Sequence, residues 1–307
     1  MLQAARLAPT LLGDSAELVR NFLLHQQNPD GGFKDRSGRS DLYYTVFAID
    51  ALSALEVQGA ADADWLAKTG KYVAALGDGT DLDFVHLCCL ARARAQIGGA
   101  TRMSPQASGD VDVAAPLLRI ETFRSPDGGY NPTTNSEAGT VYGCFLALGA
   151  YQDLSVTMPE PARLLDCLRA LETDGGAWSN ARNRQSPIAN RQLTGSTNAT
   201  AAAIAVSRQF GSPIPPRAGD WLLARCHPEG GFLAAPDAPI PDLLSTATAL
   251  HALVSMGVPL DAVRERCLDF LDSLWTNEGS FHGHWAEDIL DSEYTFYGLL
   301  ALGHLSL

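Results

Sequence analysis

The feature that most constrains this chain is a short glycine turn that recurs along its whole length. Five copies share an acidic residue, one or two glycines and an aromatic residue. They are Pro29-Asp-Gly-Gly-Phe33, Pro126-Asp-Gly-Gly-Tyr130, Thr173-Asp-Gly-Gly-Ala-Trp178, Pro228-Glu-Gly-Gly-Phe232 and Asn277-Glu-Gly-Ser-Phe281. Their first glycines, at positions 31, 128, 175, 230 and 279, are separated by 97, 47, 55 and 49 residues. The first interval is double the others and a degenerate copy, Gly77-Asp-Gly79, lies in it, so the sequence contains six units.

Each glycine turn stands between two segments with different hydrophobic patterns. The preceding segments, such as residues 16–27 and 263–274, have apolar residues at three- and four-residue spacing with charges between them, which is typical of a helix with one wet face. The following segments, such as residues 43–55 and 295–305, are apolar and nearly free of charge, as in buried helices. Glycine permits the tight turn between them. We therefore expect inner helices to begin near residues 41, 83, 140, 196, 243 and 292.

A single outer-inner helix pair cannot bury its apolar faces, whereas stacked pairs bury a continuous core. The sequence therefore predicts an all-α fold, an (α/α)6 toroid of six helical hairpins around a central apolar cavity. Because the period runs from one end of the chain to the other, we expect residues 1–307 to form one domain.

Composition excludes several classes of partner. The net charge of −13 argues against binding to nucleic acid or to anionic lipid, which both require basic patches. No apolar run approaches the roughly 18 residues of a membrane span, and we expect no stable insertion into a membrane. The six cysteines are scattered without a CxxC pair, which is typical of free thiols in a reducing compartment. We expect a soluble, cytoplasmic protein, and the sequence leaves its oligomeric state open.

The repeated segments resemble a known superfamily, the β subunits of protein prenyltransferases and the related squalene and terpene cyclases. The resemblance is carried by three segments, residues 21–33, 40–48 and 136–144, and by the five turns in register. It covers nearly the whole chain. It implies a toroid whose cavity handles an isoprenoid or similar apolar chain.

Protein prenyltransferases hold zinc with an Asp-x-Cys pair at the start of one inner helix and a His at the start of the next. The matching positions here are Asp242, Leu244 and Tyr294, so only the aspartate is retained. Catalytic zinc needs three protein ligands and an open position. We therefore expect no catalytic metal and no cofactor, and we predict that the chain does not transfer a prenyl group to a protein thiol by zinc chemistry.

Class II terpene cyclases instead protonate an alkene with the middle acid of an Asp-x-Asp-Asp motif. The nearest match here is Asp81-Leu-Asp83-Phe84, in which the third acid is missing, with His86 one turn further on. The resemblance implies that Asp83 is the catalytic acid and that Asp81 and His86 assist it. Such an acid must be desolvated and held protonated by its neighbours. The alternative is that Asp83, like Asp41, Asp242 and Asp291, caps an inner helix.

Aromatic residues on the inner helices are candidates for contact with an apolar chain or a carbocation. The predicted substrate-binding residues are Tyr44, Tyr142, Tyr294, Phe296 and Asp242, and Tyr43 and Tyr297 belong to the same aromatic set. Ordinary core packing explains aromatic residues of this kind equally well.

Three functions remain open at this point. The first is an enzyme that acts on an isoprenoid chain by metal-independent acid and cation chemistry. The second is a lipid-binding or scaffold toroid that has lost catalysis. The third is an (α/α)6 glycosidase, which needs two convergent carboxylates and sugar-stacking tryptophans. Analogy with the superfamily favours the first.

Overall fold

The computed structural model describes residues 1–55, 63–101, 114–181 and 193–307 of the chain. These residues contain fourteen helices and one two-stranded antiparallel ladder, β1 (Phe33–Lys34) with β2 (Ser40–Asp41). The helices are α1 (Leu2–Ala5), α2 (Pro9–Leu12), α3 (Ser15–His25), α4 (Leu42–Leu55), α5 (Ala63–Ala75), α6 (Phe84–Thr101), α7 (Ala114–Glu121), α8 (Val141–Asp153), α9 (Pro161–Arg169), α10 (Thr197–Gln209), α11 (Arg217–Leu223), α12 (Leu243–Ser255), α13 (Arg264–Leu274) and α14 (Ser292–Leu305).

The odd-numbered helices from α3 onward form an outer layer and the even-numbered helices from α4 onward form an inner ring. The inner helices begin at residues 42, 84, 141, 197, 243 and 292, each within one residue of the predicted start. Neighbouring inner helices pack in chain order, and α14 packs against α4, which closes the ring. The predicted all-α toroid is confirmed.

Side-chain caps explain where the inner helices start. Thr140, Ser196, Asp242 and Asp291 each accept a hydrogen bond from the backbone N–H three residues later. Such a bond satisfies a donor that the first helical turn leaves without a partner. Asp41 and Asp83 accept from the backbone N–H of Tyr44 and His86 in the same way, so one polar residue per repeat fixes the start of each inner helix.

The glycine turns connect the two helices of a hairpin, and they also pack on the outer helix of the neighbouring hairpin. An added Cβ at Gly31 would lie 2.1 Å from the carbonyl oxygen of Lys68 in α5, and one at Gly230 would lie 1.8 Å from that of Arg266 in α13. At Gly279 the added Cβ would lie 2.3 Å from the carbonyl oxygen of Leu18 in α3, so the last turn packs on the first outer helix. The backbone at all three glycines has positive φ. Glycine is therefore required for contact between repeats as well as for the turn itself.

The turn at residues 173–178 corrects the register inferred from the sequence. There the residue with positive φ is Gly176, not the first glycine of the copy at position 175. Gly176 lies two residues before Trp178, as Gly31 lies two residues before Phe33. The buried aromatic residue, rather than the acidic one, therefore sets the register of the repeat.

The N-terminal helix α1 packs against α14 and α4. An added Cβ at Gly303, near the end of α14, would lie 1.8 Å from the carbonyl oxygen of Ala4. Helix α1 therefore covers the end of the ring at which the inner helices finish. Among the helices in the described parts of the chain, none is long and apolar enough to cross a membrane.

Candidate functional site

The inner helices surround a cavity of about 920 Å³. This volume is in the range of sites that bind small molecules and cofactors. Small apolar residues, including Ala199, Ala202 and Ala205 of α10, form much of one wall. Because alanine leaves space where a larger residue would fill it, the composition of α10 is one reason that the ring is hollow.

The opposite wall of the cavity carries an aromatic cluster formed by Tyr43, Phe47, Phe296 and Tyr297. The ring centroids of Tyr43 and Phe47 lie 4.9 Å apart, and those of Phe47 and Tyr297 lie 5.3 Å apart. Phe296 lies 5.7 Å from Phe47. All four residues line the cavity, as does Tyr142 on α8. Clustered aromatic faces bind apolar chains and stabilise positive charge.

A partly buried carboxyl group is hydrogen-bonded to this cluster. The Tyr43 hydroxyl donates a 2.6 Å hydrogen bond to Oε1 of Glu293 on α14. Burial raises the pKa of Glu293 above its ordinary value, Asp291 raises it further, and the bond from Tyr43 lowers it in part. Glu293 is therefore held closer to its protonated form than a solvated glutamate, next to a phenol that faces the cavity.

The end of the cavity at which the inner helices finish is polar. It is lined by Arg92, Asp153, Arg208, His251 and Ser255. Arg92 forms an ion pair with Asp50, which is fully buried in α4. Burial raises the pKa of Asp153 to about 6, although Arg92 opposes this shift. Among the described residues that line the cavity, Asp153 is the single carboxylate.

The predicted substrate-binding residues fall into two groups. Tyr142 and Phe296 line the cavity, but Tyr44, Tyr294 and Asp242 do not. Tyr44 is one residue past Tyr43, a rotation of about 100° around the helix, so it points away from the cavity that Tyr43 contacts. The Tyr294 ring packs under Arg36, whose Cζ lies 5.0 Å from its centroid.

Asp242 is occupied as a helix cap. It accepts bonds of 2.7 Å from both the backbone N–H and the hydroxyl of Ser245. Burial raises its pKa, and the bonds from Ser245 oppose that shift. This arrangement fits the capping alternative and leaves the carboxylate turned toward its own helix.

Asp81, Asp83 and His86 lie outside the cavity lining. The side chain of Asp83 is 67% exposed and accepts a 2.9 Å hydrogen bond from the His86 backbone N–H, which is the geometry of a helix cap. Partial burial would raise the pKa of Asp83, but the bonds from His86 outweigh it and the pKa is lowered. Asp81 is exposed on the preceding loop. Asp83 therefore has neither the desolvation nor the proton that the acid role requires.

His86 bridges two repeats. Its Nε2 lies 3.1 Å from Asp41 Oδ2, and its Nδ1 lies 2.8 Å from Asp83 Oδ1. The bonds to Asp41 and then to Asp83 raise the pKa of His86 to about 9, against the effect of burial. A charged imidazolium between two carboxylates joins the starts of α4 and α6, so its contacts are those of a structural link.

The residues at the positions of the prenyltransferase zinc ligands do not form a metal site in the described part of the chain. Leu244 lines the cavity and Tyr294 contacts Arg36. In the described part of the chain, no group of three or more His, Cys, Asp or Glu side chains is placed to hold a metal ion.

Comparison with a family model identifies the toroid directly. Residues 8–73 and 203–305, more than half of the chain, match the model described as the prenyltransferase alpha-alpha toroid domain. A search of curated protein sequences returned no match to this chain.

Several solved structures share the fold at low sequence identity. A type II terpene cyclase from Scytonema, in complex with the product merosterolic acid A, is 17% identical with a TM-score of 0.64, over 97% of both chains. The protein geranylgeranyltransferase-I of Candida albicans, complexed with GGPP, is 12% identical with a TM-score of 0.65, over 94% of this chain and 90% of that chain. An α-1,6-mannanase from Salegentibacter sp. HEL1_6 is 14% identical with a TM-score of 0.62, over 95% and 98%. The same toroid thus carries isoprenoid and carbohydrate chemistry, and the lining of the cavity must distinguish them.

Proposed function

Because the chain belongs to the prenyltransferase alpha-alpha toroid family, we propose that it binds an isoprenoid or similar apolar chain in its central cavity. The observation that carries this proposal is the aromatic cluster of Tyr43, Phe47, Phe296 and Tyr297 on the wall of a cavity of about 920 Å³. Among the structural neighbours, the geranylgeranyltransferase is complexed with GGPP and the terpene cyclase with its product merosterolic acid A. A glycosidase function is less well supported, because Asp153 is the single carboxylate among the described lining residues and two are needed.

We further propose that the chain acts on this ligand by acid and carbocation chemistry. Glu293 with Tyr43 is better placed for the acid role than Asp83, because Tyr43 contacts the cavity and Asp83 does not. When Glu293 is protonated, it donates to the Tyr43 oxygen and frees the Tyr43 O–H to point at a bound alkene. The alkene π electrons form the new C–H bond, Tyr43 regains its proton from Glu293, and the positive charge stays on the more substituted carbon. The cyclised cation then loses a proton to water and Glu293, left as a carboxylate, regains a proton from solvent, which completes the charge balance and gives an isomer of the substrate.

The proposed chemistry requires no metal. Leu244 and Tyr294 stand where the superfamily has its thiolate and imidazole ligands for zinc, and neither side chain is a normal zinc ligand. Protonation of an alkene needs a proton donor and surroundings that stabilise a cation, which Glu293 and the aromatic cluster supply.

We also propose that residues 1–307 form one domain in the cytoplasm. The contact between α14 and α4 makes the last hairpin a neighbour of the first, so the ring needs all six. All six cysteines are free, as is usual in a reducing compartment.

Binding of geranylgeraniol, measured by isothermal titration calorimetry, tests the proposed function. At about 0.8 kcal/mol per buried CH₂ group, burial of some ten methylene groups gives micromolar affinity after the costs of association. Ala202→Trp places a large side chain in the cavity, so we expect it to weaken binding at least about tenfold, an effect of about 1.4 kcal/mol.

The matched control is Ala170→Trp, because Ala170 lies exposed on the outer surface after α9. We expect this variant to bind like the wild type. Equal affinity in the wild type and the Ala202→Trp variant, or no binding of any apolar chain by the wild type, would refute the proposed site.

A further inference from the structure

The cavity has two chemically different ends. The aromatic cluster lies near the starts of α4 and α14, whereas Arg92, Asp153 and Arg208 line the polar end. Along α10, Asn198 and Arg208 both line the cavity and are ten residues apart, which corresponds to about 15 Å of helix. A site of this shape fits a ligand with one apolar end and one polar end.

Arg92 supplies hydrogen-bond donors at the polar end. A guanidinium group carries five N–H donors. Asp50 is the one carboxylate that the described residues bring within ion-pair distance of Arg92. Asp50 is fully buried and does not line the cavity, while the Arg92 side chain is 30% exposed and does. Asp50 therefore holds the arginine from behind, and the remaining donors of Arg92 are available to a ligand.

Arg208 adds a second cation with no competing partner in the described part of the chain. It lies in the last turn of α10 and lines the cavity, and its exposed side chain forms no hydrogen bond or ion pair with any described residue. Arg92 and Arg208 therefore both line the polar end of the cavity.

The charge at the polar end selects the kind of head group. In the described ranges the polar end holds three cationic groups, Arg92, Arg208 and the Met1 amino group, and two carboxylates, Asp50 and Asp153. This leaves at most one excess positive charge, because burial lowers the pKa of the amino group. One excess charge matches a carboxylate, whereas a diphosphate carries at least two negative charges. Burial raises the pKa of Asp153 to about 6, so above neutral pH Asp153 is mostly ionised and its negative charge belongs in this count.

We infer that the ligand of this cavity is an isoprenoid-type chain with one terminal carboxylate, bound by Arg92 and Arg208. The inference rests on the proposed function and adds to it the class of substrate and its orientation. With the carboxylate at the polar end, the far end of the apolar chain lies against the aromatic cluster. That is the end at which Tyr43, which is hydrogen-bonded to Glu293, contacts the cavity.

The test compares three ligands with the same chain and different head groups, namely farnesoic acid, farnesol and farnesyl diphosphate, by calorimetry at pH 7.5. We expect the acid to bind about tenfold more tightly than the alcohol, because bonds to charged groups are stronger than neutral ones, and more tightly than the diphosphate. Arg208→Gln should reduce the preference for the acid to about threefold or less, with the affinity for farnesol unchanged.

Arg92→Gln alone leaves Asp50 buried without its partner and is expected to destabilise the fold. The double variant Arg92→Gln with Asp50→Asn removes both charges, and we expect it to lose the preference for the acid while it still binds farnesol. Arg169→Gln, at an exposed site on the outer helix α9, is the control with the same change in charge as Arg208→Gln and should bind like the wild type.

The possible results test the head group and the proposed function separately. Equal binding of acid and alcohol by the wild type, a diphosphate that binds best, or an acid preference that survives in both arginine variants would overturn the inference about the head group. Failure of all three ligands to bind would overturn the proposed function itself.

Discussion

Replacement of Glu293 with Gln is expected to reduce turnover of an isoprenoid substrate about 100-fold or more, with little change in binding affinity. A positioned acid contributes about 10²- to 10⁴-fold to proton transfer. Glutamine keeps the volume of Glu293 and still accepts the hydrogen bond from Tyr43, but it has no proton to give. The measurement is the rate at which product of unchanged mass forms from farnesoic or geranylgeranoic acid, since cyclisation by protonation and deprotonation yields an isomer.

The pH dependence has a defined sign. The reaction needs protonated Glu293, and burial raises the pKa of that group. The rate should therefore fall as the pH rises through the pKa of Glu293, and this limb should be absent from the residual activity of the Glu293→Gln variant. EDTA should leave the rate unchanged, because the proposed chemistry uses no metal.

Asp83→Asn is the matched control for Glu293→Gln. Asparagine caps a helix about as well as aspartate, so we expect near-normal stability, binding and turnover. If turnover instead survives Glu293→Gln and is lost in Asp83→Asn, the acid is Asp83 and the proposed roles of Glu293 and Tyr43 are wrong. If the wild type binds the chains but forms no product, the toroid is a binding module.

Contact between neighbouring repeats depends on glycine at the turns. Gly230→Ala is expected to lower the free energy of unfolding by about 3 kcal/mol or more. Its φ of +93° is unfavourable for alanine, and the added Cβ would lie 1.8 Å from the Arg266 carbonyl oxygen. No rotamer relieves a clash of Cβ with backbone, so the turn must move away from α13. Urea unfolding followed by circular dichroism measures the loss.

Gly257→Ala separates backbone strain from packing. Gly257 has a φ of +74°, and an added Cβ there would meet no atom within 4 Å. We expect this variant to lose about 1 to 2 kcal/mol, the cost of the left-handed backbone alone. Equal losses in the two variants would mean that the glycine turns do not join the repeats as described.

The fold could be predicted from the sequence because its determinants are local and repeated. A cap such as Asp242 or Asp291, a glycine turn and an apolar run recur about every fifty residues, and each fixes one boundary without reference to the rest of the chain. The register of the turn at residues 173–178 was the exception. Its additional residue, Ala177, moved the required glycine to Gly176, which only the position of the buried Trp178 reveals.

The site was harder to predict because it depends on which face of each inner helix turns inward. Tyr43 and Tyr44 are adjacent residues of the same type. Tyr43 lines the cavity and Tyr44 does not, because consecutive residues of a helix point in different directions. One feature of the sequence would have found more of the site. Asp50, Asp153, Arg208 and Glu293 are each the single residue of type Asp, Glu, Lys or Arg in the inner helix that carries it. An isolated charge in an otherwise apolar helix is costly unless it has a partner or a function.

Native mass spectrometry of the protein mixed with equal amounts of geranylgeraniol and α-1,6-mannotriose shows whether the ring binds an apolar chain in preference to a sugar. The sugar represents the ligand class of the mannanase that shares this fold. We expect one geranylgeraniol per chain and no sugar, with the lipid adduct lost in Ala202→Trp and retained in Ala170→Trp. A mannotriose adduct, or a wild-type chain that stays free of lipid, would contradict the proposed binding of an apolar chain.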